Sequence, residues 1–222
     1  MRRLITSFCL LLIVALLGNP SHAAGAVPMP PGKMMLDIQR YLLLYSATGD
    51  ERFLARLDGL GAVFEEGIAA QKNANTLADI WELYRHTVGK VRDAYTIKDA
   101  DLKRAVAQTQ EVSALFDAFI LESDKADQSP SLADNLRHLA LLRVQQANRE
   151  VLGESPDDGR LDSLYAEIDR QLDSLPAGDA QASSRNERLK KRWQYLRMAA
   201  NGGQLYPFNA QIEYLLAHLP AE

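Results

Sequence analysis

The chain has almost no cysteine, and that absence removes several chemistries at once. Its single thiol, Cys9, lies in the amino-terminal apolar run. The rest of the chain can therefore form no disulfide, present no thiolate nucleophile and build no cysteine metal site. Positive charge is not in excess either. Lys and Arg number 25 against 29 Asp and Glu, a formal charge of −4, which argues against nucleic acid as a partner. No segment alternates apolar and polar residues with period two over a useful length, so strands are not expected. The 4 histidines form neither an HExxH nor a Glu-x-x-His pattern. No CxxCH, nucleophile elbow or phosphate-binding glycine loop occurs. These absences predict a protein that is not an enzyme and carries no cofactor.

Only one long apolar run is present, Leu4 to Leu17, interrupted by Thr6 and Ser7. Arg2 and Arg3 precede it, Asn19 and Pro20 end it, and Ser21-His22-Ala23 supplies the positions a signal peptidase reads. This three-part pattern predicts a signal peptide over residues 1–23, cleaved after Ala23. The product would be periplasmic or secreted, without an integral membrane anchor, since a span needs about 20 apolar residues. Removing residues 1–23 leaves 199 of them and takes the formal charge to −6, because two arginines and no acid are lost. Residues 24–33, AGAVPMPPGK, read as a flexible linker.

The remainder of the chain reads as helical. From Met34 onward the large apolar residues step by three and four, which predicts an all-α fold of about eight amphipathic helices. A first half over 34–124 holds four of them and a second half over 131–219 the rest. The most regular stretch, Thr76 to Tyr95, carries Leu77, Ile80, Trp81, Tyr84, Val88 and Val91 on one face. Thr76 with Asp79, and Ser131 with Asp134, have the spacing of capping boxes. Gly49 and Asp50 mark one helix end and the next start.

The two halves echo one another. Leu77, Trp81, Tyr84 and Arg85 align with Leu189, Trp193, Leu196 and Arg197, and these helices hold the only 2 tryptophans. Asp50, Phe53, Leu57 and Phe64 align with Asp158, Leu161, Tyr165 and Leu172 when the capping acids are matched. The four residues by which the two alignments differ fall in the Pro176–Ser184 loop. The echo predicts an internal repeat, as two four-helix units or stacked hairpins. Coincident amphipathic stripes would look similar.

Few residues suggest chemistry. Glu82 with His86, and Asp134 with His138, are four apart and could place two metal ligands on one helix face, although such pairs also serve as surface contacts. Met34 or Met35 with His218 is the pairing that axial haem ligation would need. These support an alternative reading as a metal- or haem-binding bundle. The one basic cluster is Arg185, Arg188, Lys190, Lys191, Arg192 and Arg197, interleaved with Trp193 and Tyr195. It is a candidate patch for an anionic ligand or partner, or a solvated helix face whose stems cover apolar surface. Tyr45, Tyr95, Tyr206 and Phe208 are aromatic candidates for an exposed patch or for core.

One stretch resembles a known family. Arg40 to Leu54, RYLLLYSATGDERFL, is similar to the R-YLLTGD-E-(Y/F)L segment of extracytoplasmic four-helix-bundle sensor modules, with four extra residues between Leu43 and Thr48. The resemblance covers these 15 residues and names no ligand-binding position. It implies a soluble relative of a ligand-sensing bundle. Together these features lead to the expectation of a non-catalytic periplasmic protein, accessory or regulatory, that binds an unidentified envelope protein or small ligand.

Overall fold

The computed structural model describes residues 29–97, 101–120, 129–153, 157–176 and 178–220. The expected signal peptide, residues 1–23, and residues 24–28 of the expected linker lie outside them. Among the described residues there are nine helices and no strand. They are α1 (Pro31–Thr48), α2 (Glu51–Ala69), α3 (Ala74–Thr96), α4 (Leu102–Ile120), α5 (Leu132–Ala147), α6 (Arg149–Leu152), α7 (Asp158–Asp173), α8 (Ala180–Asn201) and α9 (Leu205–His218).

Helix ends follow local chemistry, and several differ from the sequence expectation. α1 starts at Pro31, inside the stretch read as linker, because proline fits the first helical position, where its missing N–H has no partner to lose. Gly49 ends α1 at φ 67°, and its N–H donates to the Tyr45 carbonyl. α3 starts at Ala74, so Thr76 is an interior residue and the expected Thr76–Asp79 capping box does not form. α8 starts at Ala180, where the Asp179 carboxylate accepts from the Ala182 N–H. Residues 180–184, expected as loop, are thus the first turn of a helix. The Ser131–Asp134 capping box does form, and Asp50 caps α2 by accepting from the Arg52 N–H.

α1 is the central helix. It packs against α2, α4 and α5, and the consecutive Leu42, Leu43 and Leu44 are all 0 % exposed. A helix walled on every side has no solvent stripe, so its apolar residues need not be periodic. Each buried leucine contributes roughly 1.5–3 kcal/mol. α5 runs parallel beside it: Lys33 reaches Asp134, Asp37 reaches Arg137, and the Asn148 side chain donates to the Leu43 carbonyl. The same Asn148 amide donates to the Val144 carbonyl, at the break between α5 and α6.

Two cores form around this pair. The first joins α1 to α4, with Leu141 and Val144 of α5 added; Phe64, Trp81, Tyr84 and Phe116 form its aromatic centre. The second joins α5, α7, α8 and α9 around Leu139, Ile168, Leu189, Trp193 and Ile212. The pairings α1–α2, α2–α3, α3–α4 and α1–α4 recur as α5–α7, α7–α8, α8–α9 and α5–α9. No described helix is long and apolar enough to cross a membrane.

Candidate functional site

The basic cluster of α8 divides between two faces of the helix. Leu189, Trp193, Leu196 and Ala199 form the buried stripe. On the side toward α7, Lys190 Nζ meets Asp173 Oδ1 at 2.8 Å, and Arg197 Nη1 meets Asp169 Oδ2 at 2.9 Å. These two cations are neutralised. On the side toward α9, Arg188, Lys191 and Arg192 line an open groove of about 800 Å³ with Tyr195 and Met198. The facing wall is Gln204, Pro207, Gln211 and Tyr214. Arg185 is half-buried and does not line the groove.

The groove is cationic and partly apolar. None of Arg188, Lys191 and Arg192 is in an ion pair among the described residues. Arg192 places its guanidinium 4.4 Å from the centre of the Tyr214 ring, a cation–π contact that orients it without using up its charge. Arg188 donates to Ser184 Oγ at 2.7 Å. Tyr195 and Met198 are 55 % and 69 % exposed, among the most exposed large apolar side chains described. The sequence indicated the cations but not the α9 wall, whose Gln204, Gln211 and Tyr214 carry no charge pattern and become partners only when α8 and α9 pair.

Of the other candidates, His138 bonds through Nδ1 to the Asp134 backbone carbonyl at 2.9 Å, not to its carboxylate, which is held by Lys33 and by the Ser131 N–H. His86 is exposed, and the neighbouring Glu82 carboxylate lies 3.6 Å from Arg85. Met34 and Met35 are buried in the first core, whereas His218 is exposed and stacks on Tyr214 with ring centres 4.0 Å apart. Among the described residues no three of His, Cys, Asp and Glu gather as a metal cluster. Tyr45 and Phe208 are core; Tyr95 and Tyr206 are 43 % and 46 % exposed. Tyr95 nevertheless donates to backbone carbonyls of Tyr45 and Ser46, and Tyr206 donates to Asp50 Oδ2 at 3.1 Å, so both hydroxyls tie helix ends.

No protein-family model, curated protein or solved structure matches the chain.

Proposed function

We propose that the chain is an exported, non-catalytic accessory protein that holds an acidic segment of an envelope protein in the α8–α9 groove. The observation that carries this reading is the separation of the α8 cations. Two are neutralised by α7, while three make no ion pair among the described residues and stand beside exposed Tyr195 and Met198. Arginine, tyrosine and methionine are the residues that interfaces favour. In a chain of net negative charge, such a groove selects for a partner of opposite sign. The amino-terminal segment supports export, and the Arg40–Leu54 resemblance is compatible with a soluble bundle that recognises rather than transforms.

The same reading takes the chain as two copies of one four-helix unit. Support comes from a shared contact. Trp81 Nε1 donates to Glu65 Oε1 at 2.7 Å and Arg85 to the same atom at 3.2 Å. Trp193 Nε1 donates to Asp169 Oδ1 at 2.6 Å, with Arg197 on the second oxygen. Matching the acids by this role moves the α2–α7 alignment one turn from the one the capping acids suggest. The basic groove would then belong to the second copy alone.

A photo-crosslinking residue at position 195 of the exported protein tests the reading. A single protein adduct should form in the envelope and vanish when Arg188, Lys191 and Arg192 are changed to alanine together. Absence of an adduct, one indifferent to the triple change, or adducts only to anionic lipid would overturn it.

A further inference from the structure

A second cavity lies where the two four-helix sets meet, and it differs in character from the basic groove. The fourth helix of each set faces the first helix of the other. On one side α9 is fastened to α1 and α2: Tyr41 donates to Glu213 Oε1 at 3.0 Å, Arg40 to Asn209 Oδ1 at 3.0 Å, and Arg56 meets Glu213 Oε2 at 2.9 Å. On the other side α4 faces α1 and α5 across a cleft of about 710 Å³.

That cleft has an apolar floor and polar groups with unused bonding capacity. Phe116, Leu141 and Met35 form part of the floor. Gln110, Ser113 and Asp117 follow one another along α4, spaced three and four apart, on a single face roughly 10 Å long. Ser113 is 3 % exposed, and among the described residues neither its hydroxyl nor the buried Gln110 Nε2 has a partner of full hydrogen-bond geometry. The Tyr84 hydroxyl lies beside Ser113, close enough for a weak contact between the two hydroxyls, and has no partner of full hydrogen-bond geometry among the described residues. A bond between the two hydroxyls would use one proton and leave the other without an acceptor. A buried donor without an acceptor is destabilising, and a ligand acceptor would satisfy it.

Asp117 stands at the mouth and has no ion-pair partner among the described residues. Lys33, one cation of the lining, is committed to Asp134 at 2.8 Å, and Arg160, the other, makes no ion pair with it. The loss of solvent on its protein side raises the Asp117 carboxyl pKa, the direction expected of a carboxylate that lacks a cation. The ring of His138 also lines the cleft; its Nδ1 is engaged and its Nε2 is left over.

We propose that this cleft binds a small organic amine. Its ammonium group sits against Asp117, its apolar body lies over Phe116 and Leu141, and a neutral hydrogen-bonding end reaches Gln110 and Ser113. The site is independent of the α8–α9 groove and shares no lining residue with it.

Calorimetric titration of the exported protein with tyramine and with its uncharged counterpart 4-hydroxyphenethyl alcohol tests the assignment. Tyramine should bind at least roughly tenfold more tightly than the alcohol. Asp117→Asn should erase that difference, while Gln110→Leu should weaken both compounds. Asp117 is exposed and makes no ion pair among the described residues, so its replacement should leave the fold intact, which the helical circular-dichroism signal of the variant will verify. The proposal is overturned if tyramine shows no binding at millimolar concentration, if the two compounds bind alike, or if Asp117→Asn leaves tyramine binding unchanged. Failure of the crosslinking experiment on the groove would not bear on this result.

Discussion

The indole N–H of Trp193 donates to Asp169 Oδ1 at 2.6 Å, across the narrow α7–α8 contact. Trp81 makes the same bond to Glu65 at 2.7 Å between α2 and α3. In both places an arginine one turn further along the helix joins the carboxylate. Trp193→Phe removes the donor and also part of the fused ring from a buried site, so a hydrogen bond and some packing are lost together. It should cost roughly 1–3 kcal/mol. Trp81→Phe should cost a similar amount. The double variant should lose the sum within roughly 0.5 kcal/mol, since the two bonds share no partner. Urea denaturation of the three variants measures this, and a strongly non-additive sum would contradict two separate contacts.

Gly61 explains how α2 comes so close to Trp81. A Cβ added at Gly61 would lie 2.9 Å from Trp81 Cζ2, whereas one added at Gly59, two residues earlier, would meet nothing within 4 Å. Gly59→Ala should therefore stabilise by about 0.5–1 kcal/mol, the usual helix-propensity gain. Gly61→Ala gains the same propensity but forces the indole to move, an overpacking cost of roughly 1–3 kcal/mol. The two alanines should shift the thermal midpoint in opposite directions. Equal upward shifts would mean that the indole can give way freely.

Period-3.6 patterning made the helices legible, because each of α2 to α5 and α7 to α9 keeps one wet face. It was least informative for α1. There Leu42, Leu43 and Leu44 are all buried, and so are Asp37, Gln39 and Arg40, so no stripe separates inside from outside. Charge is no guide in the same helix either: Asp37 and Arg40 are buried because α5 and α9 bring Arg137 and Asn209 to them. For the basic cluster, sequence located the cations, but their division depends on where Asp169 and Asp173 emerge from α7. Gln110 and Ser113 look like an ordinary polar face of α4; only the packing of α1 and α5 against that face makes them cleft residues.

Acid should weaken the fold partly through Asp134. Its carboxyl is partly desolvated, which raises its pKa, but the Lys33 ammonium and the Ser131 N–H and hydroxyl outweigh that and leave it below the ordinary 3.8. A carboxyl depressed in the folded state stabilises above its unfolded pKa, and this contribution is lost as pH falls through the folded value. Asp117 has the opposite sign. Its raised pKa favours the folded state at low pH, and that advantage disappears as pH rises through the folded value. Thermal midpoints between about pH 3 and pH 7 should fall on the acid side in the parent protein. Asp134→Asn should flatten that acid limb, and Asp117→Asn should leave neutral-pH stability equal or higher. A steep acid limb retained in Asp134→Asn would assign the effect to other carboxylates, Asp50 first, since the Arg52 side chain holds its carboxyl well below the usual range.

Asp37 joins two arginines at the junction between the two cores. Its Oδ1 lies 3.0 Å from Arg40 Nη2 and its Oδ2 accepts from Arg137 Nε at 3.0 Å. The Arg40 side chain is 3 % exposed and that of Arg137 11 %, so removing the carboxylate strands Arg40 and leaves Arg137 only the more distant Asp134 carboxylate, at 3.9 Å. Asp37→Ala should cost about 3–5 kcal/mol, the range for stranding a buried charge. Against a total stability of about 5–15 kcal/mol, that brings the fold close to its limit. The cost should come from the stranded cations rather than from the lost attraction. Replacing the three charges together, Asp37→Leu with Arg40→Met and Arg137→Met, should therefore recover most of it, because apolar groups of similar volume replace buried ion pairs at little penalty. Denaturation of the single and triple variants separates the two causes. A triple variant no more stable than Asp37→Ala would mean that the hydrogen bonds of this cluster, including Arg40 to Asn209, stabilise the junction in their own right.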